Sequence, residues 1–116
     1  MSSRREPEFL GDIVENIDAI TDYVAGKSFD DYRSDRMTVD AVERCLARIT
    51  EAAIRIGPER MDEISPGLPM QDVRGLGNLL RHAYFVIDHG TIWSTIKNSL
   101  PPLRAACERA LSEAGR

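Results

Sequence analysis

Apolar positions recur along this chain at three- and four-residue steps almost from its start. Between Pro7 and Val24 the set Phe9, Ile13, Ile17, Ile20 and Val24 keeps the period of an amphipathic helix, and "AGKS", ending at Ser28, stops it. Ser28 with Asp31 three residues later predicts a capped helical turn carrying Phe29 and Tyr32, ahead of the charged connection "RSDRM". From Val39 the residues Val42, Leu46, Ile49, Ala53 and Ile56 follow at steps of 3, 4, 3, 4 and 3, a narrow seam suited to lie along another helix. Gly57 ends that helix, Pro58 opens a further turn, and "ISPGLP", Ile64 to Pro69, reads as a loop. A third long helix is predicted from about Met70 to Asp88, with Gly90 as its breaker. Thr91 to Leu111 then carries Ile92, Ile96, Leu100, Leu103, Cys107 and Leu111, with Pro101 and Pro102 kinking or dividing this last helix. No stretch alternates as a strand would. The expectation is an all-α antiparallel bundle of four main helices with short extra turns, a single domain over residues 1–116.

Composition narrows the function classes without naming one. With 116 residues, 42% hydrophobic and 29% charged, the chain can bury one modest core unaided by disulfides or metals. A formal charge of -4 excludes a protein that coats nucleic acid by bulk attraction, but a local basic cluster can still hold a phosphate. Cys45 and Cys107 lie far apart with no CxxC spacing, and "MSSRREPEFLGD" has no signal-like apolar stretch, so a cytoplasmic protein with reduced thiols is expected. No apolar run is long enough to span a bilayer, and no membrane partner is expected.

The chemistry concentrates in "NLLRHAYFVID", Asn78 to Asp88. On a helical wheel at about 100° per residue, Met70 to Asp88 separates into two faces. One carries Val73, Leu76, Leu79, Leu80, Ala83, Val86 and Ile87. The other carries Arg74, Asn78, Arg81, His82, Phe85 and Asp88, with Gly77 beside them and Tyr84 at the boundary. Arg74, Asn78 and His82 stack one turn apart with Arg81 in the same stripe, so guanidinium, amide and imidazole can converge on one anion. Histidine moves protons near neutral pH, arginine holds phosphate oxygens and asparagine orients a hydroxyl, which are the roles phosphodiester cleavage in RNA requires. The same residues also suit an ordinary solvated helix face. Gly77 costs a helix about 1 kcal/mol relative to alanine, which implies that something approaches the backbone closely, a partner helix being the simplest candidate. Phe85 amid polar neighbours is a natural interface anchor, as a homodimer would use.

The segments "RGLGNLLRHAYFVID" and "IWSTIKNSLPPL", with "TVDAVERCLARITEAA" before them, resemble HepT-like toxins of the HEPN superfamily over nearly the whole chain. His82 and Tyr84 match that family's His-x-Tyr element, and Asn78 matches the asparagine that commonly follows its arginine. Aligned this way, Gly77 stands where the family has arginine, and Arg81 or Arg74, on the same face, are the arginines available for phosphate. The resemblance implies an all-helical homodimer whose paired motifs form a ribonuclease cleft, cleaving RNA without a metal or other cofactor. It also implies a minimal nucleotidyltransferase antitoxin as partner, which attaches AMP to the tyrosine of the motif, here Tyr84. Negative charge and bulk two residues from His82 would exclude an RNA phosphate. Gly77 leaves a second reading open, a non-catalytic HEPN module that binds a nucleotide or the nucleotidyltransferase.

Other candidates have plainer explanations. Asp30, Asp31, Asp35 and Asp40 fit no metal loop and are interleaved with arginines, so a salt-bridged surface is expected, with Arg33 and Arg36 as a conceivable basic rim. His89, just before Gly90, suits a helix C-terminus, where cationic side chains are favoured. Neither cysteine has a nearby base. Trp93 is expected to plug the core where the last helix begins, and "LPPL" reads as a kink.

Overall fold

A computed structural model of the chain describes residues 5–82 and 87–115, and every regular element among them is helical. Helix α1 (Glu6–Val24) opens with Pro7 in its first turn beside Glu6 and Glu8, which suit the positive end of the helix dipole. Its buried stripe is Leu10, Ile13, Val14, Ile17, Ile20 and Val24, the predicted face widened by two residues and with Phe9 at its margin. The predicted cap forms: the Ser28 hydroxyl accepts from the Asp31 N–H at 3.1 Å, and the Ser28 N–H donates to Asp31 Oδ2 at 3.1 Å, starting α2 (Phe29–Ser34). Asp35 ends α2 and caps α3 (Arg36–Ile56), accepting from the Thr38 N–H at 3.3 Å and the Thr38 hydroxyl at 2.7 Å.

Helix α3 buries Cys45, Thr50 and Ala52 as well as the predicted seam from Val39 to Ala53, with Ile56 only partly buried, because α1 packs on one flank of it and α5 on the other. Its end is set by Gly57, whose φ of 99° with ψ of 154° is a conformation that glycine adopts readily, and Pro58 then starts α4 (Pro58–Ile64). Ion pairs at both ends fix the direction of the first pair of long helices. Lys27, after α1, lies 3.6 Å from Asp35, before α3. At the far end Arg60 donates to both carboxylate oxygens of Glu6, at 2.8 and 3.1 Å. The two helices are therefore antiparallel. Helix α7 (Leu100–Ala114) lies along α1, with Arg104 donating to both oxygens of Asp18 at 2.6 and 3.1 Å. The four main helices thus pack in the order α7, α1, α3, α5, and the short helices contribute the fully buried Tyr32, Met61 and Ile92 to the core between them.

Two predicted boundaries move. Helix α5 is described over Met70–His82, residues 83–86 lie outside the described residues, and Asp88 has already left helical geometry at φ -69°, ψ 109°. Asp88 caps α6 (His89–Ser94) instead, accepting from the Gly90 N–H at 3.1 Å and the Thr91 hydroxyl at 2.7 Å. Gly90 consequently lies inside α6 rather than breaking α5. The apolar period ran on because Ile87 still packs against the same core. The last helix divides ahead of its prolines: Thr95–Ser99 form a π turn in which the Leu100 N–H reaches the Thr95 carbonyl, and Pro101 and Pro102 fall in the first turn of α7. Prolines there lack an N–H and press on carbonyls four residues back, which the wider turn accommodates.

Candidate functional site

Helix α5 docks on α3 along a narrower strip than the wheel implied. Met70, Val73, Leu76 and Leu80 pack against the core, and Gly77 is buried among them, so Gly77 belongs to the docking face and not to the polar stripe. Leu79, assigned to the apolar face, is 46% exposed. One neighbouring helix covers one strip, and Leu79 lies about 160° around the helix from Gly77. The reason for a glycine is now visible. A Cβ on Gly77 would stand 2.9 Å from Thr50 Oγ1, 3.3 Å from Thr50 Cβ and 3.3 Å from Arg81 Nη1. The partner helix that approaches is α3 of the same chain, and Thr50, buried with its hydroxyl on the Ala47 carbonyl at 2.9 Å, is the point of contact.

Outward from that contact around α5 come Gly77, Arg81, Asn78 and His82 in turn, with His82 about 140° from Gly77. Arg81 folds back over the bare Cα of Gly77. Its Nη2 donates to Asn78 Oδ1 at 2.6 Å, and its Nη1 lies 3.7 Å from Glu51 Oε2 on α3. The other oxygen of Glu51 accepts from Arg55 Nε at 2.9 Å. The structure thus joins Arg81 to Asn78 and places His82, exposed, on the next position outward. Arg74, exposed two turns earlier, is not the arginine that Asn78 and Glu51 hold. Tyr84 and Phe85, with Ala83 and Val86, lie outside the described residues. Glu51 and Thr50 escaped the sequence reading, because the pattern within α3 cannot say which of its polar residues faces α5.

The remaining candidates resolve into structure. Arg33 pairs with Asp30 at 3.1 Å and Arg36 with Asp40 at 3.7 Å, so the acidic stretch is a salt-bridged surface and the two arginines are partnered within it. Among the described residues no group of three or more His, Cys, Asp or Glu could hold a metal ion. His89 is the first residue of α6, at the positive end of a helix dipole, not at a C-terminus. Its ring meets Tyr32 edge-on at 6.2 Å, and its Nδ1 and the Tyr32 hydroxyl are buried without a hydrogen-bond partner among the described residues. Burial pushes the Tyr32 hydroxyl pKa up to about 12. Trp93 packs on Tyr32 at 5.3 Å with Lys97 4.7 Å over its ring, half-buried against the core rather than plugging it. Both cysteines are buried free thiols, and burial raises both pKa values, Cys107 to about 11.

A family model described as "Ribonuclease HepT-like" matches residues 13–110, from the middle of α1 almost to the end of α7. The chain belongs to the HepT-like ribonuclease family. Among curated HepT-like relatives, "Probable ribonuclease HepT" of Thermococcus cleftensis is 32% identical over 91% of this chain and 96% of its own length. "Putative RNase MJ1216" of Methanocaldococcus jannaschii is 30% identical over 97% of this chain and 93% of its own. "Putative RNase MJ0127" of the same organism is 36% identical over 80% and 76%. No solved structure matches the chain. No helix among the described residues of this HepT-like chain is long and apolar enough to cross a membrane.

Proposed function

We propose that this chain is an endoribonuclease that cleaves RNA without a metal, with His82 as acid/base, Arg81 on the phosphate and Asn78 orienting. The observation that carries the reading is the Arg81–Asn78 bond of 2.6 Å over the bare Cα of Gly77, one position from His82. A guanidinium anchored there can serve in place of the arginine that the family resemblance puts at position 77. Gly77 then has a packing reason and ceases to speak for a lapsed nuclease. In the reaction His82 accepts the proton of a ribose 2′-hydroxyl, and the 2′-oxygen attacks the adjacent phosphorus. The P–O5′ bond breaks as the P–O2′ bond forms, leaving a 2′,3′-cyclic phosphate and a 5′-oxygen that takes up a proton. Arg81 neutralises the charge gathered on the phosphoryl oxygens. The names of the relatives, a putative RNase and a probable ribonuclease, support RNA cleavage as the reaction class.

The finer reading is a toxin acting as a homodimer, restrained by a minimal nucleotidyltransferase that attaches AMP to Tyr84. In this reading the second copy would cover the outer face of α5, where Leu79 is exposed beside His82. The deciding experiment is RNA degradation by the pure protein and by His82→Ala. Cleavage lost in the variant supports the reading; equal cleavage in both, or none in the wild type, removes it. Mass spectrometry of the chain co-expressed with a nucleotidyltransferase, with Tyr84→Phe as control, tests the modification.

A further inference from the structure

Arginine is a poor catalytic group unless its long side chain is held, and Arg81 has contacts from two helices. Asn78 lies on the same helix three residues earlier, so its bond fixes the guanidinium only relative to α5. The Glu51 contact comes from α3 and ties the same group to the body of the bundle. Glu51 is itself oriented, since Oε1 accepts from Arg55 Nε at 2.9 Å while Oε2 faces Arg81 Nη1 at 3.7 Å. At that separation the carboxylate steers by charge rather than by a short bond. Among the described residues the two contacts engage only part of the five N–H donors of the guanidinium, which leaves donors for phosphate oxygens.

We infer that Glu51 is a positioning residue for Arg81, holding its guanidinium in the gap left by the missing side chain of Gly77 so that Nη2 stays on Asn78. This rests on the ribonuclease reading of the same site. A carboxylate beside the phosphate-binding group opposes an anionic ligand, so Glu51 is there for geometry at some cost in attraction. Its removal therefore separates two quantities that a structural defect would lower together. Both side chains are about half exposed, and an ion pair of this kind contributes little to folding, so the variant should fold.

The test compares wild type, Glu51→Gln, Arg81→Lys and the double variant in single-turnover cleavage of RNA, and in binding of the same oligonucleotide with 2′-deoxy residues that cannot be cleaved. Glu51→Gln is expected to slow cleavage about ten-fold while the uncleavable strand binds as tightly as before or tighter, and to add nothing in the Arg81→Lys background. An equal effect in both backgrounds, a parallel loss of binding, or unchanged cleavage overturns the proposal. Should the wild type cleave no RNA, the ribonuclease reading fails and the positioning claim is decided separately by NMR of the Arg81 side chain. Hindered guanidinium rotation in the wild type that becomes fast in Glu51→Gln supports it; identical behaviour in the two proteins overturns it.

Discussion

Gly77 offers the sharpest test of how the site is built. An alanine there adds a Cβ 2.9 Å from Thr50 Oγ1 and 3.3 Å from both Thr50 Cβ and Arg81 Nη1. Helix propensity favours alanine by about 1 kcal/mol, whereas forcing extra volume into a packed contact costs about 1–3 kcal/mol. The hydroxyl at 2.9 Å belongs to a buried side chain bonded to the Ala47 carbonyl, so it cannot swing away cheaply. The net expectation for Gly77→Ala is a loss of up to about 2 kcal/mol, a fall in Tm of several degrees for a domain of this size. Gly75 supplies the control within the same helix: nothing lies within 4 Å of a Cβ there, so Gly75→Ala should stabilise by the propensity difference, about 1 kcal/mol. Removing the hydroxyl should reverse the sign of the effect at position 77, making Gly77→Ala neutral or stabilising in a Thr50→Ala background. Thermal and urea unfolding of the six proteins (wild type, three single and two double variants, the second pairing Gly75→Ala with Thr50→Ala) gives the coupling directly. If Gly77→Ala stabilises as much as Gly75→Ala, or if Thr50→Ala leaves its effect unchanged, α3 does not press on Gly77 and the seat for Arg81 is not as described.

Gly77→Arg, which writes the family arginine back, is expected to lower rather than raise RNA cleavage, because its side chain must start in the space Arg81 occupies; a gain in cleavage would contradict the substitution of one arginine for the other. Leu79→Glu should shift the proposed dimer toward monomer in analytical ultracentrifugation, and unchanged association would contradict Leu79 as part of the contact. Ile13→Ala, truncating a fully buried core residue, should cost about 2–5 kcal/mol in urea unfolding. The carboxyl pKa values of Asp18, Asp31, Asp35 and Asp88 are lowered, chiefly by hydrogen bonds from Arg104, the Ser28 backbone, the Thr38 hydroxyl and the Thr91 hydroxyl respectively. Each contributes stability that is complete above the unfolded carboxylate value of about 4 and disappears as pH falls through its lower folded value. Tm should therefore hold from pH 7 to 5 and drop below about pH 4, and a flat profile down to pH 2 would contradict these bonds.

Most of the fold was legible because helix period, caps and breakers are local properties. The seams of α1 and α3, the Ser28–Asp31 box and the stops at Ser28 and Gly57 all stand where the pattern placed them. The end of α5 was not legible, since apolar spacing continued to Ile87 while Asp88, a strong cap with two donors in reach, began another helix. His89 was misplaced by the same error, a helix start mistaken for a helix end.

The sequence by itself determined that the regular elements are helical and which family its residues resemble, and it singled out His82 as the candidate centre of its chemistry. Only the tertiary structure decided what Gly77 is for. A wheel knows the angle of each residue but not how much of the circumference a neighbour will cover. Helix α3 covers a narrow strip, so Gly77 turns inward, Leu79 turns out, and Arg81 lies across the gap between Asn78 and Glu51. That arrangement depends on Thr50 and Glu51, more than twenty residues away in sequence, and contact between helices is information no local period contains.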